Sequence, residues 1–483
     1  MTALLWNKDS RGVAGKLSVI VRIGVFFDGT GNNRVNSQIG ADCQAMAEIY
    51  NGAHIRECGG RHSDPSSSYS NDFTNIARLA DLYRCQPRAA NNGLGLQVSG
   101  AVYISGIGTT SGGRDSRFSG QGFGRGNTGV VAKAMSGVKK ISEFLKTFEL
   151  NNPGCLIGGL ELDVFGFSRG AAAARHLANE VLKQSRGAFG PVLDARKLPL
   201  STDFSWRNGS VRLKVIGLFD TVAAVGSLLD MGNVRDASNA RVNLFLPPGC
   251  AQQVLHLVAA DEHRRNFALN SVMPGWEKEI LLPGSHSDIG GGYAPQSLET
   301  VSLTRPRRSL VSASTPYDAT DAWLQTHVEF GQLDARRWID PTDEISSIGV
   351  ECREWRGQTG HGMKTVVASV KLHRRVFGHL SRVYLRIMHG LACDEGVPFK
   401  PVPDTPDLGL PPELQRVSIK LLAYARGQGE PLSPDELSML YQRYIHCSAH
   451  WNGTLGRRGA LVDSLFVHAP ERDGRQRFLN IST

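Results

Sequence analysis

The sequence predicts an α/β fold: a mostly parallel sheet flanked by helices, followed by an α-rich C-terminal region. Three observations carry this. Short apolar runs alternate with helical periodicity over roughly the first three hundred residues, the pattern of repeated strand–loop–helix units. Gly-rich loops follow several of those runs, and the chain holds 54 Gly in 483 residues. The third is Gly166-Phe167-Ser168-Arg169-Gly170, set between an apolar run and an Ala-rich helical pattern.

Residues 17–27 read as the first strand, ending in Asp28-Gly29-Thr30-Gly31-Asn32-Asn33. Residues 34–70 are polar and Gly-rich, which predicts loops with a short helix. Residues 71–84 read as a helix with Asn71 or Asp72 as its cap. A second strand at 98–104 leads into the Gly-rich stretch 106–129, and 130–150 is a long helix. Residues 160–165 are the strand before Ser168. The helix at 171–184 places Ala174, Leu177, Ala178, Val181 and Leu182 at i, i+3, i+4, i+7 and i+8. Residues 213–219 and 254–258 read as further buried strands, and 278–282 as the last of the series.

Beyond about residue 310 the texture changes to longer helical patterns with aromatic and basic residues, and the Pro-rich 401–412 reads as a connection. The expected division is therefore a catalytic domain at 17–310 and an α-rich region at 311–483, the latter a lid or a membrane- or partner-facing element. Eight Lys or Arg lie between 351 and 390, opposed only by Glu351 and Glu354. Such a run is a solvated helix face or a contact for anionic headgroups, each charge near a membrane surface adding about 1 kcal/mol.

Composition is that of a globular chain, with 41% hydrophobic and 20% charged residues and a mean hydropathy of −0.21. The net charge of +9 fits simple solubility or an acidic partner. No aromatic-interleaved basic motif or zinc-knuckle spacing supports nucleic acid as that partner. No apolar stretch approaches the roughly 18–20 residues that span a bilayer. Residues 1–16 lack an apolar h-region and a small-residue cleavage site, so Sec export is not expected. The eight Cys are scattered without a C-x-x-C pair, which predicts reduced thiols and synthesis in the cytoplasm.

Strand, G-x-S-x-G and helix together are the context of a nucleophile elbow, a turn so tight that it lifts the Ser hydroxyl above the sheet. A hydroxyl becomes a nucleophile only when a base takes its proton and an acid holds that base in the right tautomer. On α/β-hydrolase sheets the partners follow in the order Ser, Asp or Glu, His. Asp220 closes the strand 213–219, at the carboxyl end where ligands gather on parallel sheets; the alternative role is a helix cap or Asx turn. His286 follows the last strand, ahead of Gly290-Gly291-Gly292. Asp288 is a competing acid, or holds the loop through backbone hydrogen bonds, and Asp220 fits the usual order better. The expected oxyanion donors are the N–H of Arg169 and amides of the Gly29-Thr30 loop. No metal is expected. Calcium remains open because Asp28 and Asp288 are conceivable ligands, although neither sits in a ligand-spacing motif.

Four ordered motifs resemble one family. These are Phe26-Phe27-Asp28-Gly29-Thr30-Gly31-Asn32-Asn33, the Ser168 elbow, Phe219-Asp220-Thr221-Val222, and His286-Ser287-Asp288-Ile289-Gly290-Gly291-Gly292-Tyr293. Together they are similar to the uncharacterised α/β-hydrolase family that contains the type VI secretion lipase effectors. The likeness runs over about 20–300 and more loosely to near 470. It implies an antibacterial phospholipase A acting on glycerophospholipid acyl esters through Ser168, Asp220 and His286. It further implies cytoplasmic synthesis without a signal peptide and delivery by type VI secretion into the target-cell periplasm. The partners it implies are a membrane substrate, an immunity protein and a secretion spike. Two other readings fit the residues: a soluble carboxylesterase or thioesterase, and a catalytically silent secretion-associated binding module.

Overall fold

The computed structural model describes residues 11–12, 16–49, 69, 71–93, 95–109, 111, 129–223, 242–356, 362–452, 468–471 and 473–482. In chain order the strands of the main sheet are β1 (Arg11–Gly12), β2 (Lys16–Phe27), β3 (Gln86–Asn91), β4 (Leu96–Ile104), β5 (Cys155–Phe167), β6 (Val211–Phe219), β7 (Gln253–Ala259) and β9 (Glu279–Leu282). Between the last two lies the short β8 (Leu269–Asn270). The sheet order is β3-β4-β2-β5-β6-β7-β9, with β1 paired to β2. Every pairing from β4 to β9 is parallel, and β1 and β3 run antiparallel to their neighbours.

Alternation within the strands explains why both faces need cover. Along β2, Val19, Val21, Ile23, Val25 and Phe27 are buried in one core and Phe26 in the other. In β5, Leu160, Leu162 and Val164 face the first core, Phe165 and Phe167 the second. Side chains two apart share a face of a strand, so each strand feeds two cores. Helices α3 (Val130–Asn151) and α4 (Arg169–Leu182) cover the first face. The second is covered by α2 (Asn75–Leu82) and α7 (Leu380–Asp394). The C-terminal region thus completes the core of the main sheet.

The expected strands and helices from 17 to 282 lie where the apolar runs put them, with ends shifted by a few residues. Three features differ. The α2 helix is capped by Thr74, whose hydroxyl accepts from Ala77 N, rather than by Asn71 or Asp72; Asp72 instead accepts from Phe73 N and pairs with Arg78. The polar stretch after Asn33 opens with a longer helix, α1 (Arg34–Ile49).

The third difference lies beyond residue 295. An antiparallel sheet of β10 (Gln296–Ser302), β11 (Arg307–Ser312), β12 (Ser347–Arg356) and β13 (Met363–Phe377) occupies a stretch whose texture reads as helical from 310 onward. Residue 310 lies inside β11, so this sheet spans the expected domain boundary. Along β13 residues 364–370 are all buried, and from Val370 on burial alternates through Leu372, Arg374 and Val376, a period of two that the interspersed Lys and Arg obscure. Helices α6 (Asp321–Gln332), α8 (Pro412–Ala425) and α9 (Pro434–Arg443) complete the described helices of this region, together with α7. The basic run does not form one solvated face. Lys364, Arg374 and Arg382 are buried, and they donate to Glu354, to Glu299 and to the Pro406 and Gly409 carbonyls respectively. Among the described residues, no helix is long and apolar enough to cross a membrane.

Candidate active site

The carboxyl ends of β2, β5, β6 and β9 meet on one edge of the sheet. At the end of β5, Ser168 has φ 58° and ψ −126° before α4 begins. Among the described residues only three other than Gly have positive φ, and two are Ser168 and Asp220. Strain of this kind costs about 1–3 kcal/mol and clusters at functional sites. The turn is held by Ser168 N donating to Phe219 O at 3.0 Å and Val222 N to Ser168 O at 3.4 Å.

The glycines flanking Ser168 follow from contact distances. A Cβ on Gly166 would lie 2.5 Å from Gly170 O, and one on Gly170 would lie 2.3 Å from Asp28 O and 2.4 Å from Phe27 O. These neighbours are backbone atoms of the first turn of α4 and of the chain at the end of β2, so no side-chain rotation relieves the clash.

Asp220 directly follows β6 and is fully buried. Its Oδ2 accepts from His286 Nδ1 at 2.5 Å. Oδ1 accepts from Ala259 N at 3.1 Å and from Arg475 Nη1 at 2.7 Å, while Arg475 Nη2 donates to Oδ2 at 2.8 Å. Burial alone would raise the carboxyl pKa, but the Arg475 charge and the His286 contact override it and hold Asp220 well below the ordinary carboxylate range.

His286 opens the short helix α5 (His286–Gly290) rather than lying in an open loop. Its ring sits 4.7 Å from Phe167 and 5.0 Å from Phe267, centroid to centroid. Burial pushes its pKa below the usual histidine value, against the hydrogen bond and charge of Asp220. With Nδ1–H committed to Asp220, Nε2 is the nitrogen left to act as a base. Asp288 has other work. Its Oδ2 accepts from Ser285 N, Ser285 Oγ and His446 N, and its Oδ1 accepts from His446 Nδ1 at 2.7 Å. His286 N also donates to Glu262 Oε2 at 3.3 Å, and Glu262 is drawn down to about 2 against burial by Arg264.

The loop after β2 lies beside the elbow, with the Asp28 and Phe27 carbonyls against Gly170. Gly29 N–H donates to Asp28 Oδ1 at 2.7 Å, so in this arrangement it does not point outward as the expected oxyanion donor. Thr30 remains on the same loop, next to Phe167 and Gly106 through its neighbour Gly29. Arg169 N–H belongs to the first turn of α4. Asp28 is buried and further held by Thr74 Oγ1 and the Tyr103 hydroxyl; burial raises its pKa while these donors oppose the rise. Asp28 and Asp288 therefore serve separate partners, and among the described residues no group of three or more His, Cys, Asp or Glu is placed to hold a metal ion.

Sequence reasoning missed Arg475; the supporting Glu262 and His446 lie in the segments 259–267 and 444–452, which also resemble the effector family but carry no role assignable from sequence. Arg475 lies 255 residues from Asp220, and nothing in its local sequence marks the contact.

A family model described as type VI secretion phospholipase effector Tle1-like, catalytic domain, matches residues 198–310, which include Asp220 and His286. No curated protein matches the chain. A solved structure, the Tle1 effector bound to the VgrG spike from the type VI secretion system, superposes with a TM-score of 0.71. It is 30% identical, over 96% of this chain and 94% of that one. An uncharacterized protein from Pseudomonas aeruginosa aligns at TM-score 0.39 and 17% identity, over 88% of this chain and 52% of that one. With near-complete mutual coverage of the Tle1 effector at that identity, the chain belongs to the Tle1-like phospholipase effectors of type VI secretion.

Proposed function

We propose that the chain is a phospholipase A that uses Ser168, His286 and Asp220 as a catalytic triad on glycerophospholipid acyl esters. The observation that carries this reading is the buried 2.5 Å bond from His286 Nδ1 to Asp220 Oδ2, beside the strained turn at Ser168. His286 Nε2 takes the Ser168 hydroxyl proton as Oγ attacks the ester carbonyl, and Asp220 stabilises the imidazolium. The amides of Arg169 and Thr30 hold the tetrahedral oxyanion, with Gly29 committed to ordering the loop through Asp28. Collapse breaks the ester C–O bond, and His286 returns the proton to the departing lysophospholipid oxygen. Water, deprotonated by the same imidazole, then attacks the acyl-enzyme and releases the fatty acid and the free Ser168 hydroxyl.

The Tle1 effector seated on its spike supports docking on a secretion spike for this chain as well; the proposal adds transfer to the periplasm of a neighbouring cell and protection of the producer by an immunity protein. The chemistry calls for no metal or organic cofactor, since nucleophile, base and acid are all side chains.

The test is to incubate the protein and its Ser168→Ala variant with mixed phosphatidylethanolamine and phosphatidylglycerol vesicles and to analyse products by mass spectrometry. Free fatty acid and lysophospholipid from the wild type alone are expected. Turnover of short-chain soluble esters without lipid cleavage would favour a soluble esterase, and inertness on both would favour a silent binding module.

A further inference from the structure

Arg475 is nearly buried, and its guanidinium is committed on two sides. Nε donates to Phe267 O at 2.7 Å, on the chain that follows β7, and Nη1 reaches the O of Ala259, the last residue of β7, at 3.3 Å. On the other side Nη1 and Nη2 take the two oxygens of Asp220 at 2.7 and 2.8 Å. The oxygen bound by Nη2 is the one that accepts from His286. Ala259 N and His286 Nδ1 supply one donor to each carboxylate oxygen, and the two-pronged guanidinium adds a second to each and fixes the carboxylate plane.

The segment that carries Arg475 is itself tied to the site. β14 (Arg477–Phe478) pairs in parallel with β8, and Asn270 N of β8 donates to Thr221 O, one residue after Asp220, at 2.9 Å. Arg477 pairs with Glu279, which accepts from His256 Nδ1 at 3.1 Å; His256 Nε2 in turn accepts from Thr221 N at 3.1 Å. Asn480 Oδ1 accepts from Leu246 N at 2.9 Å and from Arg175 Nη2, on the helix behind Ser168, at 3.2 Å. Arg475 just before β14, Arg477 within it and Asn480 just beyond it thus reach the acid, the loop after it and the helix after the nucleophile.

We propose that Arg475 is a positioning residue of the hydrolytic reaction, fixing the Asp220 carboxylate against His286 and making strand β14 part of the catalytic assembly. This rests on the triad reading given above. The charged groups facing the dyad are Asp220 itself, Arg475 from β14's leading turn, and Glu262 and Arg264 from the chain after β7. Removing the Arg475 charge leaves the Asp220 charge uncompensated, which draws a proton onto the Asp220–His286 pair and moves the acid limb of activity upward.

Arg475→Gln and Arg475→Lys are compared with wild type on the vesicles above, with kcat and KM measured across pH. Arg475→Gln is expected to lower kcat at least about tenfold with KM unchanged and to raise the acid limb by about one pH unit. Arg475→Lys keeps the charge without the fork, so it is expected to restore the acid limb while kcat stays reduced. A folded Arg475→Gln protein with wild-type kcat and acid limb would overturn the proposal, as would a loss of kcat with the acid limb unmoved. Where Arg475→Gln does not fold, wild-type kcat in Arg475→Lys overturns it instead. Absence of Ser168-dependent turnover in the wild type would count against the triad, whereas normal wild-type turnover with indifferent Arg475 variants would count against this inference alone.

Discussion

Replacing Asp220 by Asn tests the dyad at its centre, and the structure fixes how the amide must sit. The Oδ1 position faces two donors, Ala259 N and Arg475 Nη1. The Oδ2 position faces two others, His286 Nδ1 and Arg475 Nη2. An amide has one acceptor end and one donor end, so its NH2 must confront one donor pair. On the Ala259 side nothing can yield, because a main-chain N–H and a guanidinium have no acceptor form. On the His286 side the imidazole can change tautomer, leaving Nδ1 as acceptor and placing the proton on Nε2. That tautomer cannot take a proton from Ser168. Loss of the base in this way costs about 10⁴ in kcat, or about 5.4 kcal/mol of barrier. The Arg475 charge also loses its buried partner, a change that costs about 3 kcal/mol or more of stability. The assay is steady-state fatty acid release from saturating vesicles, normalised to the folded fraction by circular dichroism, with urea unfolding alongside. A folded Asp220→Asn enzyme within tenfold of wild-type kcat would refute the reasoning.

Three further outcomes follow from the same geometry. The wild-type acid limb of kcat/KM is expected below pH 6.5, because burial depresses the His286 pKa and the neutral base persists until pH falls through that lowered value; a limb above 6.5 in a pH-rate profile would contradict this. Gly170→Ala drives a Cβ to 2.3 Å from Asp28 O and is expected to lower the urea midpoint by about 1–3 kcal/mol equivalent and to abolish turnover. By contrast Gly331→Ala, inside α6 with nothing within 4 Å of its Cβ, should leave turnover unchanged and raise stability by up to about 1 kcal/mol. Tyr103→Phe removes a donor to the buried Asp28 carboxylate and is expected to cost about 1–3 kcal/mol by urea unfolding and to reduce kcat through the loop that carries Thr30; unaltered stability would show that Asp28 does not depend on the hydroxyl.

What could be read from the sequence was whatever neighbouring residues encode. The buried parallel strands announce themselves as apolar runs, and Gly166 and Gly170 mark a turn whose cause is a backbone clash within a few residues and across one strand. Asp220 and His286 were legible because strand ends place them, and the structure brings their side chains together. The limits are equally physical. Gly29 N–H turns back to the carboxylate of the preceding residue, a choice that depends on Thr74 and Tyr103 holding Asp28 in place. The Thr74 cap competed with two preceding polar residues, Asn71 and Asp72, that took other partners. The alternation in β13 was hidden because one buried position is Arg374, paired with Glu299 from a neighbouring strand. Arg475 had no local signal at all, since its meaning exists only across 255 residues.

The most direct test of the account is covalent labelling with a fluorophosphonate followed by peptide mass spectrometry, on wild type and on His286→Ala. The account predicts a single adduct on Ser168 in the wild type and labelling slowed by several orders of magnitude in the variant. An adduct elsewhere, or equal labelling of Ser168 without His286, would contradict it.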